Sequence, residues 1–316
     1  MVNPDISVVI TAFNRKEFLD RAINSAINQS FPGVRYEIII VTNFSPSIDP
    51  TMLLKFKGNI KFVGFTSEPI SEMLRRGIHN ASGDIISFLD DDDLFTEGKL
   101  QRVYEAFLNH PDMVYYHNNY LRFRELGKYE KGLFWTSQSI YISKNKMEAG
   151  NIRKLIRQGG NFNLSCISVK KSHLGIILDE SLNFNYLPDS ILFYSMLAEG
   201  DFQVDSSVLT HYYSHKSVSN QGTDCVVQKT IDAIQQIYDR IQRPGHKFLR
   251  SDFQMNVIMH DIIYQEPRKI VLLDFFRSTL SLLTYNFDRR FLLLLLSLLY
   301  IILPGTAFNI LKSINY

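Results

Sequence analysis

The first 110 residues predict an α/β fold built on a Rossmann-like, mostly parallel central sheet flanked by helices. Three observations carry that expectation. Short apolar runs alternate with amphipathic helical segments at short spacing, the pattern of βαβ units. The runs are nearly continuous rather than alternating, as strands covered on both faces require. One of them, Ile85 to Leu89, passes straight into Asp90, Asp91, Asp92 and Asp93, at the strand end where open α/β sheets hold their ligands.

In order, Ile6 to Thr11 is a β-branched run and reads as the first strand. Phe18, Leu19, Ala22, Ile23, Ala26 and Ile27 then recur at helical spacing up to Phe31-Pro32-Gly33. Glu37 to Val41 is a second strand and Asn59 to Phe65 a third. Glu72 to Ala81 forms a helix closed by Gly83, and Ile85 to Leu89 is the fourth strand. Thr96 to Leu108 is a helix stopped near His110-Pro111, followed by a strand at Met113 to Tyr116. Beyond residue 120 the periodicity weakens and aromatic and amide side chains become dense, including Trp135, Asn161, Phe162 and Asn163. Such faces suit sugar rings or plain core packing. Asp189 to Leu197 and Val226 to Ile241 read as further helices.

The chain has 316 residues and a net charge of +2, with no strong field pointing to nucleic acid. Two distant cysteines, Cys166 and Cys225, exclude a disulfide framework and a thiolate zinc site. Met1 to Asp5 lacks the basic start of a signal peptide, so a cytoplasmic location is expected. Phe291 to Leu303 holds one polar residue, Ser297, and follows Arg289-Arg290. A helix of that length covers roughly 20 Å, short of a ~30 Å hydrocarbon core. It is expected to lie on the inner face of the membrane as a peripheral contact, with the arginines favouring anionic lipid. Packing against the chain itself or in a homodimer is the main alternative, and a true span continuing past Pro304 to Ile310 is a lesser one.

Four adjacent carboxylates repel one another and so call for a cation, and oxygen-only ligands suit Mg²⁺ or Mn²⁺. A solvated turn capping the next helix is the competing reading. Several ordered segments now resemble the inverting GT-A glycosyltransferases of family 2. ISVVITAFNR (6–15) looks like the family's opening strand and nucleotide-contacting turn, and SAINQSFPGVRYEIIIV (25–41) like its first-helix end and second strand. GIHNASGDIISFLDDDD (77–93) matches the block that runs into the DxD motif. His110-Pro111-Asp112, Asp179-Glu180 with Pro188-Asp189, and Tyr213 to Ser219 resemble later segments. The paired aspartates usual after the second strand are Thr42 and Asn43 here, and the usual Glu-Asp is Pro188-Asp189.

The resemblance implies a nucleotide diphospho-sugar donor, with UDP favoured, and a glycan or lipid-linked hydroxyl acceptor in polysaccharide or glycolipid synthesis. It implies Asp92 as the main metal ligand, Asp90 and Asp91 on the metal's water shell or the ribose, and His215 as a further ligand or a diphosphate contact. Thr11, Ala12 and Phe13 would line the base, Arg15 belongs to the same turn, and Asn43 could accept from a uracil N3–H. Arg75 or Arg76 would offset phosphate charge. Asp189 would be the base for the acceptor hydroxyl, with Glu180 as second candidate. The expected division is a donor half (1–120), an acceptor half of the same domain (121–222), and a helical region (223–316) with its apolar tail near 291–310.

Two other classes compete. A haloacid dehalogenase-type phosphatase also feeds a strand into D-x-D, with Asp90 as nucleophile and Asp92 as acid/base, but it wants Thr or Val where Leu94 stands. A non-catalytic nucleotide-sugar-binding protein would explain Thr42-Asn43. An EF-hand fails because Phe95 replaces the loop glycine and Gln101 the closing glutamate.

Overall fold

The computed structural model describes residues 4–29, 33–44, 56, 58–64, 70–132, 135–184, 187–214 and 236–237. Residues Met1–Ile237 form one compact unit. The region expected to be helical from 223, the apolar tail and His215 lie outside the described residues, apart from 236–237. Among the described residues no helix is long and apolar enough to cross a membrane.

The expected βαβ pattern forms. Strand β1 (Ile6–Ala12) leads to helix α1 (Lys16–Ile27), then β2 (Tyr36–Thr42), β3 (Ile60–Gly64), α2 (Ile70–Asn80) and β4 (Ile85–Asp90). β3, β2, β1 and β4 are neighbours in that order, all parallel. β1 is buried along its whole length, which is why its sequence shows no alternation. α1 turns Leu19, Ala22, Ile23, Ala26 and Ile27 into the core, and each large apolar side chain so buried contributes about 2 kcal/mol. α2 lies directly on β1 because residue 77 is glycine: a Cβ there would meet Val9 Cγ1 at 2.4 Å.

The second half corrects the expectation of a mostly parallel sheet. After the short β5 (Leu94–Phe95) come α3 (Lys99–Asn109), β6 (Met113–Glu125), β7 (Lys128–Lys131), β8 (Ile140–Ile142) and α4 (Ala149–Arg157). β9 (Ile167–Lys170), α5 (Gly175–Leu178), α6 (Pro188–Met196) and β10 (Asp201–Tyr213) follow. β9 inserts between β4 and β6 and is antiparallel to both. β10 runs parallel to β6 but antiparallel to β5 and β8. The sheet is therefore mixed. β6 continues through residue 125 because it folds back on β7 as a hairpin, a pairing that a four-residue apolar run could not announce.

Candidate functional site

The site stands at the C-terminal edge of the parallel strands. Register places Thr11 opposite Asp90 and Ala12 opposite Thr42, so β1, β2 and β4 end together. The turns that follow them carry Phe13, Asn43 and the four aspartates to one edge. Thr11 Oγ1 donates to Asp90 Oδ1 at 3.3 Å. The Asn14 backbone N–H donates to Asn43 Oδ1 at 3.1 Å, and Asn43 Nδ2 donates to Asn14 Oδ1 at 2.6 Å. This pair holds Asn14 in the left-handed region, φ 59°, which Asn tolerates better than most residues. Ala12 is buried and Phe13 is 38% exposed, leaving one ring accessible at the edge.

Arg15 crosses from the first turn to the fourth strand. Its Nη1 donates to Asp92 Oδ2 at 2.6 Å and its Nη2 to Asp91 Oδ1. One guanidinium thus serves two carboxylates with Asp90 and Asp93 close by. Burial raises Asp90 to about 7, helped by the charge on Asp92. Burial raises Asp91 to about 8 against the pull of Arg15. Asp91 Oδ2 is buried without a hydrogen-bond partner among the described residues. The donor set is all oxygen and carries more negative charge than Arg15 offsets, so its chemistry fits a hard divalent cation. Among the described residues no three His, Cys, Asp or Glu side chains are grouped to hold such an ion by themselves. Oxygens from a ligand would have to complete the shell.

Asp93 does not cap the following helix. α3 begins six residues later with Gly98 as its N-cap. Asp93 turns inward, accepting from the Tyr213 N–H at 2.9 Å and from Asn163 Nδ2 at 3.1 Å. Burial holds its carboxyl well above the usual range.

Asp189 lies in the first turn of α6, after Pro188 at the helix start. Its Oδ1 accepts from the Ser190 N–H and its Oδ2 from the Asn163 N–H, both at 2.8 Å. Burial raises it to about 6, and backbone donors, Ser190 first and then Asn163, restrain the rise. A half-buried carboxylate near neutrality suits proton transfer. Glu180 is exposed. Arg75 is 3% exposed. Its guanidinium binds Glu72, the Asp179 and Leu182 carbonyls and Asn183, so it ties α2 to the 179–183 segment. Arg76 pairs with Glu72 on the same helix.

Three contributors escaped the sequence reading. Lys99 is fully buried and its Nζ donates to Asn118 Oδ1 at 2.9 Å, Ser165 O at 2.5 Å and Thr210 Oγ1 at 3.0 Å. Burial pushes it down to about 7, while these acceptors match the three N–H bonds of its charged form. Ser165 Oγ accepts from the Asp90 N–H at 2.9 Å. Asn163 joins Asp93 to Asp189. Only Asn163 gave a signal, as an amide in an aromatic stretch, and it is buried rather than offered to a sugar ring.

Comparison with known proteins gives this arrangement a family. The model for glycosyl transferase family 2 matches residues 7–170, slightly more than half the chain. An uncharacterized glycosyltransferase of Rickettsia bellii is 32% identical over 127 residues, 39% of this chain and 18% of the relative. The poly(ribitol-phosphate) beta-N-acetylglucosaminyltransferase TarP of Staphylococcus aureus is 29% identical over 154 residues, 47% of this chain and 42% of TarP. The chain spans about a fifth of the length of the first three curated relatives it matches, 18%, 22% and 20%. Among solved structures, S. aureus TarS 1–349 in complex with UDP-GlcNAc superimposes with a TM-score of 0.58 at 13% identity, covering 87% of this chain and 79% of TarS 1–349. That likeness shows an α/β, GT-A-like fold. The chain belongs to glycosyl transferase family 2.

Proposed function

We propose that this protein transfers a sugar from a nucleotide diphospho-sugar to a hydroxyl acceptor with inversion at the anomeric carbon. The observation that carries the reading is the meeting of Thr11, Asn43, Arg15 and the Asp90–Asp93 carboxylates at one sheet edge, with Asp189 linked to them through Asn163. The phosphatase alternative falls with the family assignment.

Phe13 offers a ring face to the base, and Asn43 keeps a carbonyl lone pair for a base N–H. Asp92 with Asp90, and His215 beyond the described residues, would hold Mn²⁺ or Mg²⁺, which when bound supplies Lewis-acid stabilisation of the departing diphosphate. Arg15 adds fixed positive charge in the same place. The acceptor oxygen attacks the anomeric carbon in line, the bond from that carbon to the diphosphate oxygen breaks, and the acceptor proton passes to Asp189. With one oxygen on the Asn163 N–H and the other on the Ser190 N–H, the carboxylate keeps a fixed orientation while free lone pairs receive the proton. Arg75 we assign to holding the 179–183 segment rather than a phosphate.

Residues 1–120 serve the donor and 121–222 the acceptor in this reading. A UDP-sugar is favoured because the fold superimposes on the UDP-GlcNAc complex of TarS. A glycan or lipid-linked acceptor, met at the inner membrane face through the apolar tail, is the matching location. The test is a panel of nucleotide sugars with and without Mn²⁺. Thermal stabilisation by UDP plus Mn²⁺, and slow release of UDP from one donor, are expected. Stabilisation without turnover of any donor would leave a binding protein in place of the enzyme.

A further inference from the structure

We propose that Asn163 is the positioning residue that fixes the candidate base relative to the acidic loop. This rests on the transferase reading above.

Asn163 spends every polar group of its side chain and its backbone N–H on the site. Its Nδ2 donates to Asp93 Oδ2 at 3.1 Å. Its Oδ1 accepts from the Ser165 N–H at 2.7 Å. Its own N–H donates to Asp189 Oδ2 at 2.8 Å. The direction of that last donor depends on a left-handed backbone, φ 65°, and the two side-chain bonds hold the residue there. The neighbouring turn is pinned from other sides. Ser165 Oγ accepts from the Asp90 N–H, and the Ser165 carbonyl accepts from Lys99 Nζ and Thr210 Oγ1. Asp93 is held in turn by the Tyr213 N–H. One short turn, 163–166, therefore touches the backbone of Asp90, the side chain of Asp93 and the carboxylate of Asp189.

The consequence is geometric. Proton removal and departure of the diphosphate must occur together, so the base and the acidic loop need a fixed separation. A displacement of about 1 Å can reduce turnover roughly a hundredfold without touching ground-state binding. Asn163 sits where such a displacement would arise. It contacts no donor group in the reading above, so its loss should spare donor affinity.

The test uses the full chain and the donor the panel identifies. Asn163→Ala and Asn163→Gly should both lower kcat at least tenfold, with KM for the donor and UDP affinity in Mn²⁺ unchanged. Glycine accepts the left-handed backbone and alanine does not, so the alanine variant should lose more thermal stability while the two lose the same kcat. A merely structural role predicts instead that activity follows stability. Asn163→Asp alone and Asp93→Asn alone place two acceptors or two donors face to face, and each should also lower kcat. The combined exchange restores one donor and one acceptor with the total charge unchanged, and should return kcat to within about threefold of wild type. Retained kcat in the glycine variant, a parallel loss of UDP affinity, or no recovery in the exchange would overturn the assignment. A wild-type protein that turns over no donor would overturn the transferase reading itself, and this inference with it.

Discussion

The two ends of the parallel strands hold buried carboxylates of opposite character. At the N-terminal end of β2, Glu37 is matched on every side. Lys61 pairs with it at 2.8 Å, Ser7 Oγ donates at 2.8 Å and the Ser82 N–H at 2.5 Å. Burial raises its pKa, these donors more than offset that, and the carboxyl ends below its ordinary value. At the C-terminal end, Asp91 shares the Arg15 guanidinium with Asp92, and Asp90 and Asp91 are pushed up to about 7 and about 8. The same residue class is neutralised where it joins β2 to the α2–β4 turn and left under-neutralised where a ligand would bind. Unspent charge of this kind supports the proposed donor site at this edge.

That contrast can be broken in both directions. Glu37→Leu leaves Lys61, Ser7 and the Ser82 N–H without their acceptor and should cost about 3 kcal/mol in urea unfolding. Since the folded state depresses this pKa, Glu37 contributes stability above its ordinary value of 4.5 that is lost as pH falls through the folded value. The gap between Glu37→Leu and wild type should therefore narrow below about pH 4.5. A gap that is flat with pH would show that the carboxylate charge is not what matters. Arg15→Ala removes the guanidinium bonded to Asp91 and Asp92 and should cost about 2 kcal/mol without metal, with Mn²⁺ restoring part of it. No difference between the two conditions would separate these carboxylates from metal binding. Asp90→Asn should do the reverse of Glu37→Leu, raising metal-free stability by about 1 kcal/mol while lowering turnover, as relief of crowded charge at a functional site does. Loss of stability in that variant would contradict the contrast.

How much was legible follows from how local each feature is. β1, β2 and β4 appear as apolar runs because each is buried on both faces along its own length. Asp90 to Asp93 are consecutive, and Asp189 sits beside the Pro188 that starts its helix. The mixed half of the sheet was not readable, since β9 takes its place only by pairing with strands about 50 and 80 residues earlier. The place of Lys99 is set by Asn118, Ser165 and Thr210, which lie 19, 66 and 111 residues along the chain. The partners of Asp93 and Arg75 were not readable for the same reason: Tyr213 and Asn163 for one, and the 179–183 segment for the other, lie 70 or more residues away.

The central claim is that Asp189 removes the acceptor proton beside a donor site it does not itself build. The direct measurement is turnover of the identified donor by Asp189→Asn, with UDP affinity in Mn²⁺ measured on the same preparation. The account predicts a loss in kcat of roughly a hundredfold to ten-thousandfold with UDP affinity within about twofold of wild type. Near-normal turnover, or loss of UDP binding together with activity, would contradict it.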